Sequence, residues 1–277
     1  MAATLYVIAT PLGNLGDLSP RAGETLRRVA LVAAEDTRRT RQLLSAIDAH
    51  PRLVSCHAHT PERRIDALVA ALVAGDDLAL VTDAGTPAIS DPGTGLVAAA
   101  RRAGIRVEPI PGPSAIAAAV SASGLPGDRF LFLGFLPRRG SARRRLIERA
   151  AAEPWTVVFF ESPNRLALLL ADLAGACGAD LPVVVARELS KVHEDVRDGT
   201  LAGLHAYYLQ HPALGEVTVV MAGRPAAATA ELDVTEIDAM IARELGAGES
   251  RKDVVRMVAD RFGIGRNDAY RMVMERP

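Results

Sequence analysis

DLALVTDAGTPAISDPG (77–93) is an apolar run that ends abruptly in small, polar and ring-constrained residues. The run reads as a buried strand feeding a ligand loop, because Gly85 and Gly93 permit close backbone approach while Pro87 and Pro92 fix the chain direction. From Val81 to Gly93 the loop holds two Gly, two Pro, two Asp, two Thr and a Ser, more turn-forming residues than a simple reversal needs. A second loop of this kind, PIPGPSA (109–115), follows the next apolar run. A third, ATPLGNLGDLSPRA (9–22), follows the first run, and there Ser19 and Pro20 read as the N-cap and first residue of a helix.

Outward from these loops, short β-branched runs alternate with Ala/Leu/Arg segments of helical spacing. The runs are TLYVIA (4–9), ALVAAE (30–35), LALVTD (78–83), RFLFLGF (129–135), TVVFFE (156–161), PVVVARE (182–188) and EVTVVMAG (216–223). The alternation predicts an α/β protein with mainly parallel sheets covered by helices. GLPGD (124–128) interrupts it, which places one α/β domain at 1–124 and a second at 125–225. RPAAATAELD (224–233) reads as a linker to a small helical unit at 234–277. In that unit Ser250 caps a helix with Val254, Val255, Val258 and Phe262 inward. Gly263-Ile264-Gly265 turns the chain, and Asn267 starts a second helix carrying Ala269, Tyr270 and Val273, a helix-turn-helix pattern.

At 277 residues, 49% apolar, 23% charged and a net charge of −1, the chain has the composition of a soluble globular protein. Lys occurs only at Lys191 and Lys252, so nearly all the positive charge is Arg, the side chain suited to bidentate phosphate contacts. Two Cys without CxxC spacing, Cys56 and Cys177, suggest neither a disulfide framework nor a zinc site and fit a reducing cytoplasm. His57 and His59 in SCHAH (55–59) offer two ligands without a third, so no metal is expected. There is no apolar run of 18 residues and no basic leader with a cleavage site, which predicts a cytoplasmic protein without a membrane span. GxxxxGK[ST] is absent, and no GxGxxG follows the first strand; both simple nucleotide folds are disfavoured.

LYVIATPLGNLGDLSPRA, AAEDTRRTRQLL (33–44), VTDAGTPAISDPG, PIPGPSA, FFESPNR (159–165) and ARELSKVHED (186–195), in this order, resemble the tetrapyrrole methylase superfamily. More narrowly they resemble its ribosomal branch, the 16S rRNA cytidine 2′-O-methyltransferases. The sirohaem and cobalamin methylases of the superfamily typically carry GDP where this chain has Gly85-Thr86-Pro87. The resemblance implies two α/β domains with S-adenosylmethionine (SAM) in the cleft between them, a homodimer, and 16S rRNA of the small ribosomal subunit as partner. It also implies a cofactor site of Leu12, Gly85, Thr86, Ile89, Ser114 and Ala115, joined from the second domain by Phe160, Arg187 and the Met221-Ala222-Gly223 corner.

Methyl transfer to a ribose hydroxyl requires alignment of a poor nucleophile and removal of its proton. Lys191, Glu161 and Glu188 are the catalytic candidates, with His193 and Glu194 nearby in sequence. Lys191 draws attention as a rare Lys in an Arg-rich chain, since a desolvated Lys can release its proton. Glu35, Asp36 and Arg38 are candidates for substrate positioning. Arg138, Arg139, Arg143, Arg144, Arg145 and Arg149 form a cationic segment, with Arg143, Arg144 and Arg145 expected to bind RNA. Two other readings compete: a small-molecule tetrapyrrole methyltransferase, and a non-catalytic nucleic-acid-binding regulator to which the helical tail alone would point.

Overall fold

The computed structural model describes residues 3–224, 234–262 and 266–274. Its first sheet contains β1 (Thr4–Ile8), β2 (Leu31–Ala34), β3 (Arg52–Ser55), β4 (Leu78–Val81) and β5 (Arg106–Ile110), in the order β3-β2-β4-β1-β5 with every neighbouring pair parallel. β2 and β4 are buried along their whole length. Alternate residues serve opposite faces. Ile8, Val32, Ala34, Ala79 and Val81 join one apolar cluster with Ala22 and Leu26 of α1 (Pro20–Arg28), whereas Leu5, Leu31, Ala33, Leu78 and Leu80 join another with Leu68 and Leu72 of α3 (Glu62–Ala74). Covering both faces is what the near-continuous apolar runs require. Ser19 caps α1 by accepting from the Ala22 amide at 3.2 Å, with Pro20 as its first residue. α2 (Thr37–Ala46), α4 (Thr94–Arg102) and α5 (Ala115–Ala122) complete this half.

The second sheet contains β6 (Phe130–Phe135), β7 (Thr156–Glu161), β8 (Pro182–Arg187), β9 (Asp195–Thr200) and β10 (Val217–Met221) in the order β6-β7-β10-β8-β9. This α/β half departs from the expectation of mainly parallel pairing. Only β6 and β7 run parallel; β10 is antiparallel to both β7 and β8, and β9 to β8. β9, Asp-Val-Arg-Asp-Gly-Thr, has no alternating apolar face and sits on the sheet edge, so hydrophobic periodicity did not announce it.

α6 (Ser141–Ala151), α7 (Leu166–Cys177) and α8 (Leu201–Gln210) cover one face of this sheet. The other face takes Ile116, Ala119 and Val120 of α5 against Val158, Val184 and Val220. The described residues up to Gly223 therefore make one compact unit with two sheets, and the expected boundary at 124/125 falls between those sheets.

The described residues from Val234 onward belong to a second compact unit. In it α9 (Val234–Gly246), α10 (Arg251–Phe262) and α11 (Arg266–Met274) bury Ile237, Ile241, Val254, Val258, Ala269 and Val273 together. Ser250 accepts from the Asp253 amide at 3.2 Å, the cap that its sequence position predicts. Val255 and Phe262 pack against this core, whereas Tyr270 is largely exposed. The expected linker beyond Arg224 and the turn at Gly263-Ile264-Gly265 lie outside the described residues. No described helix is long and apolar enough to cross a membrane.

Candidate active site

The carboxyl ends of β1, β2 and β4, with the start of α5, surround a cavity of about 300 Å³, at the small end of the range for small-molecule sites. β1 contributes Leu12, β2 Glu35, β4 Thr82, Asp83 and Ala84, and the start of α5 Ala115. The second sheet closes the cavity with Phe135 from β6, Phe160 and Glu161 from β7, and Glu216, Val217 and Thr218 from the start of β10.

Backbone and side-chain bonds hold the three loops in register. Thr10 and Gly85 exchange amide hydrogen bonds at 2.9 and 3.0 Å, and the Thr86 hydroxyl donates to the Pro113 carbonyl at 3.1 Å. Gly85 and Thr86 thus fasten the walls rather than form them. Ser114, the N-cap of α5, accepts from the Ala117 amide at 3.4 Å, and Ile89 is exposed outside the cavity wall. Ala88 and Ser90 hold left-handed φ of 66° and 63°, strain concentrated in the loop that carries Asp91.

The cavity wall is acidic. The Thr82 hydroxyl donates to Glu35 at 2.6 Å, and Asp83 accepts from the Asp36 amide at 3.0 Å while facing Arg39 at 3.5 Å. Burial raises the pKa of Asp83. Asp91, a residue that sequence reasoning did not select, lines the same cavity. Burial, opposed by a Thr82 hydrogen bond and reinforced by the charges of Glu35, Asp83 and Glu216, pushes its pKa up to about 6.

A carboxyl with a raised folded-state pKa binds more protons folded than unfolded, so stability falls as pH rises through the window from about 4 to 6. Asp91→Asn removes that burden and is expected to raise the Tm of the ligand-free protein at pH 7.5 by roughly 2–4 °C, with the gain gone below pH 4. Thermal scans at both pH values check this; an unchanged Tm at pH 7.5 would contradict it.

Glu161 has a fully buried side chain. Its Oε1 accepts from the Ser162 amide and from Arg165 Nε, both at 2.7 Å, and Arg165 also forms an ion pair with it. Its Oε2 is buried with no hydrogen-bond partner. A buried carboxyl oxygen without a partner is costly to the fold.

The other two catalytic candidates are committed to each other. Lys191 Nζ donates to Glu188 at 2.9 Å and lies 3.3 Å from Glu216. Partial burial alone would depress the Lys191 pKa, but those bonds and charges outweigh it and raise the value, so the ammonium is retained. Glu188 also accepts from the Glu216 amide at 2.8 Å, and that bond leads the causes that lower its pKa. Lys191 is thus held as a cation between Glu188 and Glu216 rather than as the desolvated, proton-releasing amine expected from the sequence, and Glu188 pins the β8–β9 loop to the start of β10. Arg187, paired with Val217 across β8 and β10, bonds Asp195 and the Leu214 carbonyl, each at 3.2 Å, and is not among the residues lining the cavity.

Met221, Ala222 and Gly223 are corrected as well. β10 runs antiparallel to β7, so Val217 pairs with Glu161 at the cavity whereas Met221 pairs with Val157 at the far end of the sheet, inside the apolar core. The start of the strand, not its end, reaches the site. Asp36 and Arg38 pair with each other at 2.8 Å beside α2, and hydrogen bonding from Arg38 lowers the Asp36 pKa to about 2.

Arg143 is buried and gives Nε and a terminal nitrogen to Asp172 at 2.9 and 2.7 Å and a third bond to the Pro137 carbonyl. It anchors α6 to α7 and is not available to RNA, a further correction. Arg149 pairs with Glu153 at 3.1 Å, while Arg138, Arg139, Arg144 and Arg145 are exposed.

The sequence profile of the Tetrapyrrole (Corrin/Porphyrin) Methylases matches residues 4–205. Among solved structures, the fold is similar to that of a cobalamin biosynthetic enzyme, cobalt precorrin-4 methyltransferase, with a TM-score of 0.61 and 17% identity over 79% of this chain and 94% of that one. It is also similar to uroporphyrin-III-C-methyltransferase from Thermus thermophilus, with a TM-score of 0.55 and 22% identity over 83% and 98% of the two chains. Curated relatives are much nearer in sequence. The ribosomal RNA small subunit methyltransferase I of Xylella fastidiosa (strain Temecula1) is 50% identical over 222 residues, 79% of this chain and 81% of its own. The protein of the same name from Pseudomonas aeruginosa (strain PAO1) is 42% identical over 281 residues, 99% and 98% of the two chains. The chain belongs to the tetrapyrrole methylase family and, within it, to the group of ribosomal RNA small subunit methyltransferases I.

Proposed function

We propose that the protein is an rRNA methyltransferase that uses SAM to methylate the 2′-hydroxyl of a cytidine ribose in 16S rRNA of the small ribosomal subunit. The observation that carries the reading is the cavity itself: a recess at the carboxyl ends of parallel strands, walled by Glu35, Asp83, Asp91 and Glu161, with one buried carboxylate oxygen left unpartnered. Such a wall fits a cationic sulfonium ligand that also carries amine and hydroxyl donors. The names of the curated relatives support ribosomal RNA as the substrate.

When bound, SAM supplies an electrophilic methyl group on sulfur. Leu12, Ala115 and Phe160 would hold it as apolar walls, and Asp91 and Glu35 as polar ones. Glu161, beside Phe160 on this wall, would take up the proton of the ribose hydroxyl as the methyl group passes from sulfur to oxygen and leaves S-adenosylhomocysteine behind. Arg165, bonded to Oε1, keeps that carboxylate oriented.

RNA is drawn to the exposed Arg138, Arg139, Arg144 and Arg145, which make no ion pair with described residues, and the helical unit at 234–277 serves docking on the subunit. The active form is a homodimer acting in the cytoplasm. Calorimetry tests the cofactor assignment: SAM is expected to bind at one site per chain, and absence of binding would refute it.

The Arg segment divides by role. Replacing Arg144 and Arg145 by Gln is expected to weaken subunit binding and to reduce the salt slope by about 0.7–0.9 for each phosphate that is no longer neutralised, with stability nearly unchanged. Arg143→Ala is expected to cost about 3 kcal/mol of stability instead, because it strips Asp172 of a largely buried partner. Filter binding across a salt series and denaturant unfolding separate the two effects; a salt slope unchanged by the Arg144/Arg145 replacement would make these side chains plain solvated surface.

A further inference from the structure

β6 carries an irregularity whose product is a single exposed aromatic ring. Phe132 pairs with Val158, but the next pairs are Gly134 with Phe159 and Phe135 with Phe160, so one extra residue is inserted between Phe132 and Gly134. Strict alternation would put residues 132 and 135 on opposite faces of the sheet. The bulge returns Phe135 to the face of Phe132, and both rings pack on Phe160, with centroids at 4.9 and 5.6 Å. Gly134 makes this possible with φ at +61°, and a Cβ there would sit 3.1 Å from the Ser90 hydroxyl of the loop opposite.

Phe132 and Phe160 are partly buried in this stack, but Phe135 remains 56% exposed. It stands on the shared rim of two cavities, the candidate methyl-donor site and an open recess of about 610 Å³ that also includes Pro137, Arg138, Ser162 and Asn164. Arg138 and Asn164 are exposed, and their side chains form no hydrogen bond or ion pair with described residues.

We propose that this recess is the subsite for the target nucleotide, with an unpaired nucleobase stacked on Phe135. The inference rests on the rRNA methyltransferase reading and adds a substrate-recognition residue to it. Single-stranded RNA is read by stacking splayed bases on aromatic rings and by hydrogen bonding their edges. The Asn164 amide offers a donor and an acceptor for a base edge, and Arg138 a cation for the adjoining phosphate. A base stacked on Phe135 keeps its own ribose at the rim that the recess shares with the candidate methyl-donor cavity. A protein partner would require a wider apolar patch than one ring flanked by a guanidinium and an amide.

Phe135→Ala, Phe135→Tyr and Asn164→Ala test this on 30S subunits that lack the modification, with steady-state methyl incorporation from labelled SAM. SAM calorimetry and sedimentation are run on the same proteins. Phe135→Ala is expected to lower kcat/KM for subunits about 10-fold or more, Phe135→Tyr to stay within about threefold of the parent, and Asn164→Ala to fall between them, with SAM affinity and oligomeric state unchanged. Normal kcat/KM in Phe135→Ala overturns the proposal. So does a loss matched by weaker SAM binding, which would make Phe135 part of the donor pocket, or one matched by a changed oligomeric state, which would make it a protein interface. If the parent protein itself methylates no subunit RNA, the rRNA reading fails and takes the subsite with it.

Discussion

Glu161→Gln is expected to slow methyl transfer by about 10²-fold or more while leaving SAM affinity nearly unchanged. The substitution keeps the shape of the side chain but removes its charge and turns one of its two oxygens into an amide donor. In the folded protein Oε1 is already occupied by the Ser162 amide and Arg165, whereas Oε2 has no partner and the residue lines the cavity. The loss therefore falls on the step in which the hydroxyl proton departs, and it appears in single-turnover rates at saturating SAM and subunit. Unfolding controls are needed, because Arg165 loses its ion-pair partner. A normal single-turnover rate in a folded Glu161→Gln protein would remove Glu161 from the chemistry. By contrast, Lys191→Ala is not expected to mimic this loss, since its ammonium is already held between Glu188 and Glu216.

Gly85→Val is expected to weaken SAM binding by about 100-fold or more. Gly85 holds φ at +82°, a conformation that a β-branched residue adopts only with strain of order 1–3 kcal/mol. Its Cβ would lie 3.3 Å from Leu12 Cδ2 and 3.8 Å from the Pro113 carbonyl oxygen. The side chain does not simply occupy the ligand's space; it wedges apart the three loops that the Thr10–Gly85 and Thr86–Pro113 bonds clamp together, and moves Leu12 on the cavity wall. Both sheets are built from elements outside these loops, so the fold should survive with a lowered Tm. Calorimetry gives the affinity and circular dichroism the fold; undiminished SAM affinity in a folded Gly85→Val protein would show that this loop does not shape the donor site.

The parallel half of the molecule is legible in the chain because its buried strands are unbroken apolar runs and its loops are dense in Gly, Pro and Asp. Leu12, Glu35, Ala115, Phe160 and Glu161, all candidates from the sequence, sit on one cavity wall. What escaped detection is physical in origin. β9 is polar on both faces, so the antiparallel course of its neighbours is hidden in the sequence, and the start of β10 rather than Met221-Ala222-Gly223 at its end reaches the cavity.

Asp91 looked like one more polar residue of a turn, and only its burial beside Glu35 and Asp83 distinguishes it. Arg143 was indistinguishable from Arg144 and Arg145 in a run of like residues. Helical spacing turns it inward to Asp172 while the other two face solvent. Rarity in composition says nothing about partners, and for Lys191 two carboxylates stabilise the charged form.

Delivery of a methyl group from this cavity to a ribose hydroxyl of small-subunit rRNA is the central claim. The most direct measurement incubates the purified protein with labelled SAM and 30S subunits from a strain lacking the activity, then maps the modified nucleotide by mass spectrometry of nuclease fragments. One labelled methyl per subunit is expected, on the 2′-oxygen of a cytidine in 16S rRNA. Label on a base, on no RNA at all, or on a tetrapyrrole offered in parallel would contradict it.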